Sequence, residues 1–522
     1  MTKRGKAERG AAPSGVIEQL KLNAAGLDVG AEEIYVCVPA DRAEEAVRVF
    51  RTYTAGLYQL ADWLTECRIE TVAMESTGVY WIPVYEVLEE RGFEVYLVNA
   101  RHLKNVPGRK TDVLDCQWLQ QLHTYGLLQP SFRPSENIRA LRVLTRQRET
   151  LVRYQASHIR HMQKTLQQMN IKLTEAVSDI TGVTGLRIIR AIVGGETDPQ
   201  QLAAFRDWRC AKSESEIAQA LAGHYKAEHL FVLKQALAEY DFYQQQIQEC
   251  DRQLEALYAA LPSAEPHDDA RPPAEPHDDA RPSAEPHDDA RPPAEPHNDA
   301  RPSAEPHDDA RPPAEPHNDA RPPAEPHNDA RPPSAKRHKR GKWRKNEPHF
   351  DLAGALYCLV GVDLTAIDGV DALTAQVIIA EIGTDVSAWR TVKHFTSWLG
   401  LAPCTEKTGG KVIRSRTKKT QNRANTAFRL AAQSLHHSKS ALGAFYRRMK
   451  ARLGSNEAIT ATAHKLARIV YHMLKNRTSY VDLGEDYYEQ QYRERAVRNL
   501  RRKAAKLGFQ LAPASTGENL VS

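Results

Sequence analysis

Short apolar runs alternate with amphipathic stretches over the first quarter of the chain. The runs are GLDVGAEEIYVCVPA from Gly26, TVAME at 71–75 and EVYLVNA at 94–100. Between them, YQLADWLTECR and WIPVYEVLEERG carry apolar residues at helical spacing. Strands alternating with helices predict an α/β domain over 21–130. Its last piece, TDVLDCQWLQQLHTYGLL (111–128), reads as a helix with Thr111 as N-cap. From 134 to 261 the pattern turns to long amphipathic helices, in coiled-coil style. RALRVLTRQRETLVRYQASHIRHMQKTLQQM and LKQALAEYDFYQQQIQECDRQLEALYAAL would pair with each other or with a second copy. Residues 350–490 are again mostly helical, and 505–522 read as a disordered tail.

Residues 264–333 interrupt this pattern with seven copies of AEPH[D/N]DARP[P/S]. A proline-rich ten-residue unit has no apolar face to stack, so the array reads as an extended, disordered linker. The seven copies sum to a charge of −11, which leaves +16 on the rest of a chain whose total is +5. Such a surplus points to a polyanionic partner. A basic segment at 334–349 and a basic arm at 1–20 add to it. No apolar run is long enough to span a bilayer, so no membrane partner is expected. The seven cysteines include no Cys-x-x-Cys pair, which argues against a zinc site or a disulfide framework and for a reducing cytoplasm.

Four carboxylates stand where phosphodiester chemistry needs them. Asp28 lies in the first strand, Glu75 closes the next, and Asp112 and Asp115 are three apart on one helix face. Two-metal sites gather such side chains around hard cations, Mg2+ or Mn2+. Asp on a strand, Glu at a strand end and a helical Asp pair make the arrangement of a ribonuclease-H-like, Holliday-junction-resolvase-like nuclease.

Those segments resemble the DEDD-type insertion-sequence transposases, the IS-one-ten family of bridge-RNA-guided recombinases. The resemblance runs through LDVGAEEIYV, MESTGVYWIPVYEVLEERG, GRKTDVLDCQWLQQL, WLGLAPCTEKTGGKV and NRANTAFRLAAQSL. It implies that Asp28, Glu75, Asp112 and Asp115 bind metal and that the protein mobilises an insertion sequence by cutting and transferring DNA. It also implies a structured guide RNA, a homo-oligomer (dimer or tetramer) and a place at the nucleoid. The family carries a nucleophilic serine in a Ser-Gly-Gly-Lys-like turn. Here Thr408 replaces it, in Lys407-Thr408-Gly409-Gly410-Lys411, with Ser415 as the nearby substitute.

Lys411, Arg414, Arg416, Lys418, Lys419, Arg423 and Arg429 fall within 19 residues that hold no acid, and phosphate contact is expected of them. IDGVDALTAQVIIAEIGTDVSAW (367–389) reads as a helix-hairpin-helix turning at Gly369, or as an ordinary helical hairpin. His464 and His472 are read as packing residues. The competing functions are a stand-alone junction resolvase using the same tetrad and an inactive DNA-binding repressor.

Overall fold

The computed structural model describes residues 19–76, 78–99, 112–264, 346–409 and 411–512. Most of the basic arm, Thr111, nearly all of the decapeptide array, most of the basic segment, Gly410 and residues 513–522 lie outside the described residues. The chain divides into two compact units, 1–133 and 134–522.

The first unit is α/β. Its elements are β1 (Ala24–Val29), β2 (Glu33–Cys37), β3 (Val47–Arg51), α1 (Thr54–Glu66), β4 (Thr71–Glu75), α2 (Trp81–Glu90), β5 (Glu94–Val98) and α3 (Asp112–Thr124). The sheet order is β3-β2-β1-β4-β5. β1–β2 and β2–β3 are antiparallel; β1–β4 and β4–β5 are parallel. Side chains alternate between two faces as a pleated strand requires. Ala25, Leu27, Val29, Val72, Met74 and Leu97 pack with Leu60 and Leu64 of α1 and with Val84 and Leu88 of α2. On the other face, Ala73 and Val98 pack with Leu119 of α3. β3 escapes a search for apolar runs, because only Phe50 of its VRVFR is buried.

Among the described residues the second unit is helical except for one hairpin. The long helices α4 (Glu136–Gln168) and α5 (Ala227–Ala260) bury residues at three- and four-residue intervals, among them Ile138, Leu141 and Thr145 on α4 and Leu233, Leu237 and Tyr240 on α5. Tyr154 meets Tyr243, Gln155 Nε2 donates to Gln244 Oε1 (2.7 Å), and Cys250 Sγ reaches the Leu144 carbonyl. Rising numbers meet falling ones, so the pair is antiparallel within one chain. Short helices between 173 and 221 close one end of it around Met162, Leu166, Ile188 and Leu237.

The pair is one body with the region beyond the array. Arg146 grips Glu381 of α7 (Ala372–Ile382) with two hydrogen bonds of 2.8 Å, and Arg142 donates to the Ala380 and Glu381 carbonyls at that helix's C-terminal end. The separate domains expected at 134–261 and 350–490 are therefore parts of one compact unit. α6 (Leu352–Val360), α8 (Val392–Trp398), α9 (Arg423–Ser434), α10 (Ala441–Leu453), α11 (Ser455–Asn476) and α12 (Gly484–Lys506) complete it. α12 corrects the expected boundaries: ordered helix runs past 490 and past the start of the supposed tail at 505.

A buried ion pair sits inside the long helical pair. Arg148 and Asp251, each 5% exposed, pair through Nε and Oδ1, and Arg148 Nη2 also donates to the Asn346 carbonyl at 2.9 Å. Removing one partner strands a buried charge, at about 3–5 kcal/mol. Asp251→Ala should lower stability by that amount in urea denaturation, and the double variant Arg148→Met/Asp251→Leu should recover most of it. Equal loss in the single and double variants would contradict this.

Candidate active site and nucleic-acid interface

Gly26 sets the site. A Cβ there would lie 2.2 Å from the Gln120 amide nitrogen and 2.3 Å from the Cys116 carbonyl oxygen, so only glycine lets α3 lie this close to β1. At the far end of α3, His123 Nε2 and Thr71 Oγ1, at the start of β4, hydrogen-bond at 2.8 Å. α3 therefore runs antiparallel to β1 and β4, and its first turn reaches their carboxyl ends. Asp112 and Asp115 stand in that turn.

Asp28 and Glu75 stand at those strand ends. Leu27 pairs with Met74 in parallel register, so Asp28 and Glu75 are each the next residue on neighbouring strands, on the face opposite Leu27 and Met74. That is the face covered by α3. The electrostatics follow from that placement: burial first, then the carboxylates of Asp112, Asp115 and Glu75, push Asp28 up from 3.8 to about 6. Three acids far apart from it in sequence thus act on Asp28. Among the described residues no three His, Cys, Asp or Glu side chains are drawn tightly enough to enclose an ion. The four share a neighbourhood, not a closed cage. All are hard oxygen donors, the type Mg2+ or Mn2+ accepts, and a dication among them would offset the repulsion felt at Asp28. The donor set fits such an ion.

Residues that the tetrad motif does not include hold this arrangement. Tyr35 pairs with Asp28 across β1–β2 and donates its hydroxyl to Glu33 at 3.2 Å. Cys37 Sγ donates to the Val38 carbonyl and Cys116 Sγ to the Val113 carbonyl, and the neighbouring Cys37 thiol, then burial, push the Cys116 thiol up. His123 is fully buried, and burial, followed by the charge of Lys21, holds it down at about 4, so it packs as a neutral ring against Tyr96. A glycine two residues before a strand Asp is the one signal in the sequence that could have pointed to the approach of α3.

The second candidate region is the hairpin of β6 (Pro403–Thr408) and β7 (Lys411–Thr417). Thr408 is exposed at its tip, paired with Lys411 across the turn, and Gly409 takes a φ of +56°, which glycine adopts without strain. Ser415 lies along β7 with its hydroxyl 3.2 Å from Thr405 Oγ1. Lys411, Arg414, Arg416, Lys418 and Lys419 are exposed on or just after the ribbon. Arg423 differs from the expectation, since it pairs with Glu149 of α4 at 2.6 Å and its charge is compensated. Arg429 donates to Thr460. The turn at Gly369 is packed against α9, where an added Cβ would lie 2.7 Å from the Ala431 carbonyl oxygen. That packing explains the glycine. Burial, first among its causes, holds His464 down at about 4, in keeping with a packing role.

A model of DEDD transposases of the IS110 type matches residues 25–171, which contain all four carboxylates. A second, for transposases of the IS116/IS110/IS902 family, matches residues 363–447, which contain Gly369, Thr408 and the basic ribbon. The chain belongs to the IS110 family of DEDD transposases. No curated protein matches it. Transposases of this family cut and transfer DNA, so the chain's partner includes DNA. Both matches leave out the decapeptide array and α12. Among the described residues no helix is long and apolar enough to cross a membrane.

Proposed function

We propose that this transposase mobilises its insertion sequence through metal-dependent strand cleavage at Asp28, Glu75, Asp112 and Asp115, with Thr408 as a second, nucleophilic centre. The observation that carries the reading is the placement of Asp28 and Glu75 at neighbouring strand ends beneath the helix whose first turn holds Asp112 and Asp115, with the shift of Asp28 in keeping with it. The sheet order β3-β2-β1-β4-β5, with three antiparallel strands followed by two parallel ones, supports a ribonuclease-H-like fold for the first unit. A bound Mg2+ or Mn2+ supplies charge neutralisation at the scissile phosphate. The carboxylates of this chain hold and orient the ion, and α3 fixes two of them relative to the strands.

Thr408 Oγ1 gives up its proton to solvent and bonds to phosphorus as the P–O bond to the departing strand breaks, and that strand's oxygen takes a proton from solvent, so the step is proton-neutral. Its exposed place at the hairpin tip beside Gly409 leaves room for a phosphate, whereas the hydroxyl of Ser415 is engaged by Thr405. The methyl group of Thr408 restricts χ1, so a serine should attack at least as fast. Lys411, Arg414, Arg416, Lys418 and Lys419 contact phosphates beside it, and Arg423 and the Gly369 turn, as a helix-hairpin-helix, border that surface. The reading extends to a structured guide RNA as a second polyanion, to a homo-oligomer (dimer or tetramer), and to action at the nucleoid.

The test is mass spectrometry of the full chain quenched during reaction with Mg2+ and DNA carrying the element ends. A nucleotide on Thr408 is expected, absent in Thr408→Ala and present in Thr408→Ser. A nucleotide on Ser415 would move the role there. Cleavage without any protein adduct would leave water as the attacking group.

A further inference from the structure

The last helix of the second unit is divided in its chemistry. The first half of α12 is acidic and docked: Arg447 Nη2 donates to Glu485 Oε1 at 2.6 Å, Arg448 pairs with Glu489 and lies 3.3 Å from the centre of the Tyr492 ring, and Phe445 meets Tyr488 edge-on. The second half is basic and not docked. Arg498, Arg501, Arg502, Lys503 and Lys506 fall in nine residues with no acid, all five are exposed, and none has an acidic partner among the described residues. No residue of α12 is buried. The helix dipole favours cations near a C-terminus, but five of them also repel one another. A polyanion removes that repulsion.

We propose that the C-terminal half of α12 is a second DNA-binding surface, separate from the hairpin, that enters the major groove of duplex DNA. The arrangement of the charges selects the partner. At about 100° per residue the five cations spread over roughly 200° of the helix circumference. Cations on so wide an arc reach phosphates on both walls of a groove at once, not on one strand alone. The B-form major groove is wide enough for an α-helix, while the A-form RNA major groove is too narrow and deep. The acidic half anchors the helix to α10, so the basic half is held as a stiff arm, not a loose tail.

The experiment uses the full chain, a 30-base-pair random-sequence DNA duplex and the RNA duplex of the same sequence, with affinity measured by fluorescence anisotropy over a salt series. Arg498→Gln/Arg501→Gln/Arg502→Gln/Lys503→Gln changes only exposed side chains. Each lost phosphate contact lowers the slope of log affinity against log salt by about 0.9. The slope for DNA is expected to fall by about 2–4, with RNA binding unchanged. An unchanged DNA slope overturns the proposal, as does an equal fall for RNA. A change of mass in light scattering without a change of slope overturns it too, by making the arm, with its exposed Leu500, a contact between copies. A parallel variant, Lys411→Gln/Arg414→Gln/Arg416→Gln, tests the hairpin separately, so failure of either surface leaves the other standing.

Discussion

Asp28→Asn is expected to abolish recombination and, in metal-free protein, to raise stability at neutral pH. Loss of one ligand from a site that stabilises transition-state charge removes several kcal/mol, so the rate should fall at least about a thousandfold. The stability effect follows from the shift of Asp28 from 3.8 to about 6. A carboxylate raised on folding contributes stability fully present below pH 3.8 and lost as pH rises through about 6. At pH 7 the ionised group therefore opposes folding. The full shift would be about 3 kcal/mol, but Asp28 is only half-buried, and solvent screening lowers this to the order of 1–2 kcal/mol. The asparagine variant should melt a few degrees higher in EDTA at pH 7 and show no gain at pH 4. Excess Mg2+ should reverse the order, because binding stabilises only the wild type. A variant that melts lower in EDTA, or that still recombines, would remove Asp28 from the site.

Gly26→Ala is expected to be nearly as damaging, without touching a carboxylate. The new methyl meets backbone atoms of α3 at 2.2 and 2.3 Å, and backbone cannot yield as the end of a side chain can. Either the helix lifts or the strand shifts, at about 1–3 kcal/mol or more for overpacking. A lifted α3 carries Asp112 and Asp115 with it, and a misplacement of about 1 Å can lower a rate by a hundredfold. Thermal melting should show the loss of stability, and the rate should fall even well below the melting temperature. Wild-type melting and activity would mean that α3 does not lie on β1.

The placement of the four candidate acids on their elements was legible because each carries a local signature: a strand Asp, a strand-end Glu, and two helical Asp three apart. The antiparallel helical pair was legible as two amphipathic segments, but not as one hairpin, since the same stripe serves a second copy equally well. β3 was hidden because an edge strand with one buried side chain has no apolar run. Most of α12 went unassigned because a helix that buries nothing has no stripe to read. Arg423 was grouped with uncompensated cations because its partner, Glu149, lies 274 residues away.

By itself, the sequence determined the alternating pattern of the first unit, the order and chemical type of the four acids, the Gly-Gly turn beside Thr408 and the low-complexity array. Each of these depends on residues within a turn or a strand of one another. Only the tertiary structure decided that Leu27 pairs with Met74, that α3 runs back along β1 over Gly26, and that residues on the two sides of the array form one body through Arg146 and Glu381. Register, close approach and the neutralisation of a charge depend on which distant surfaces meet, and near neighbours in a chain do not encode that.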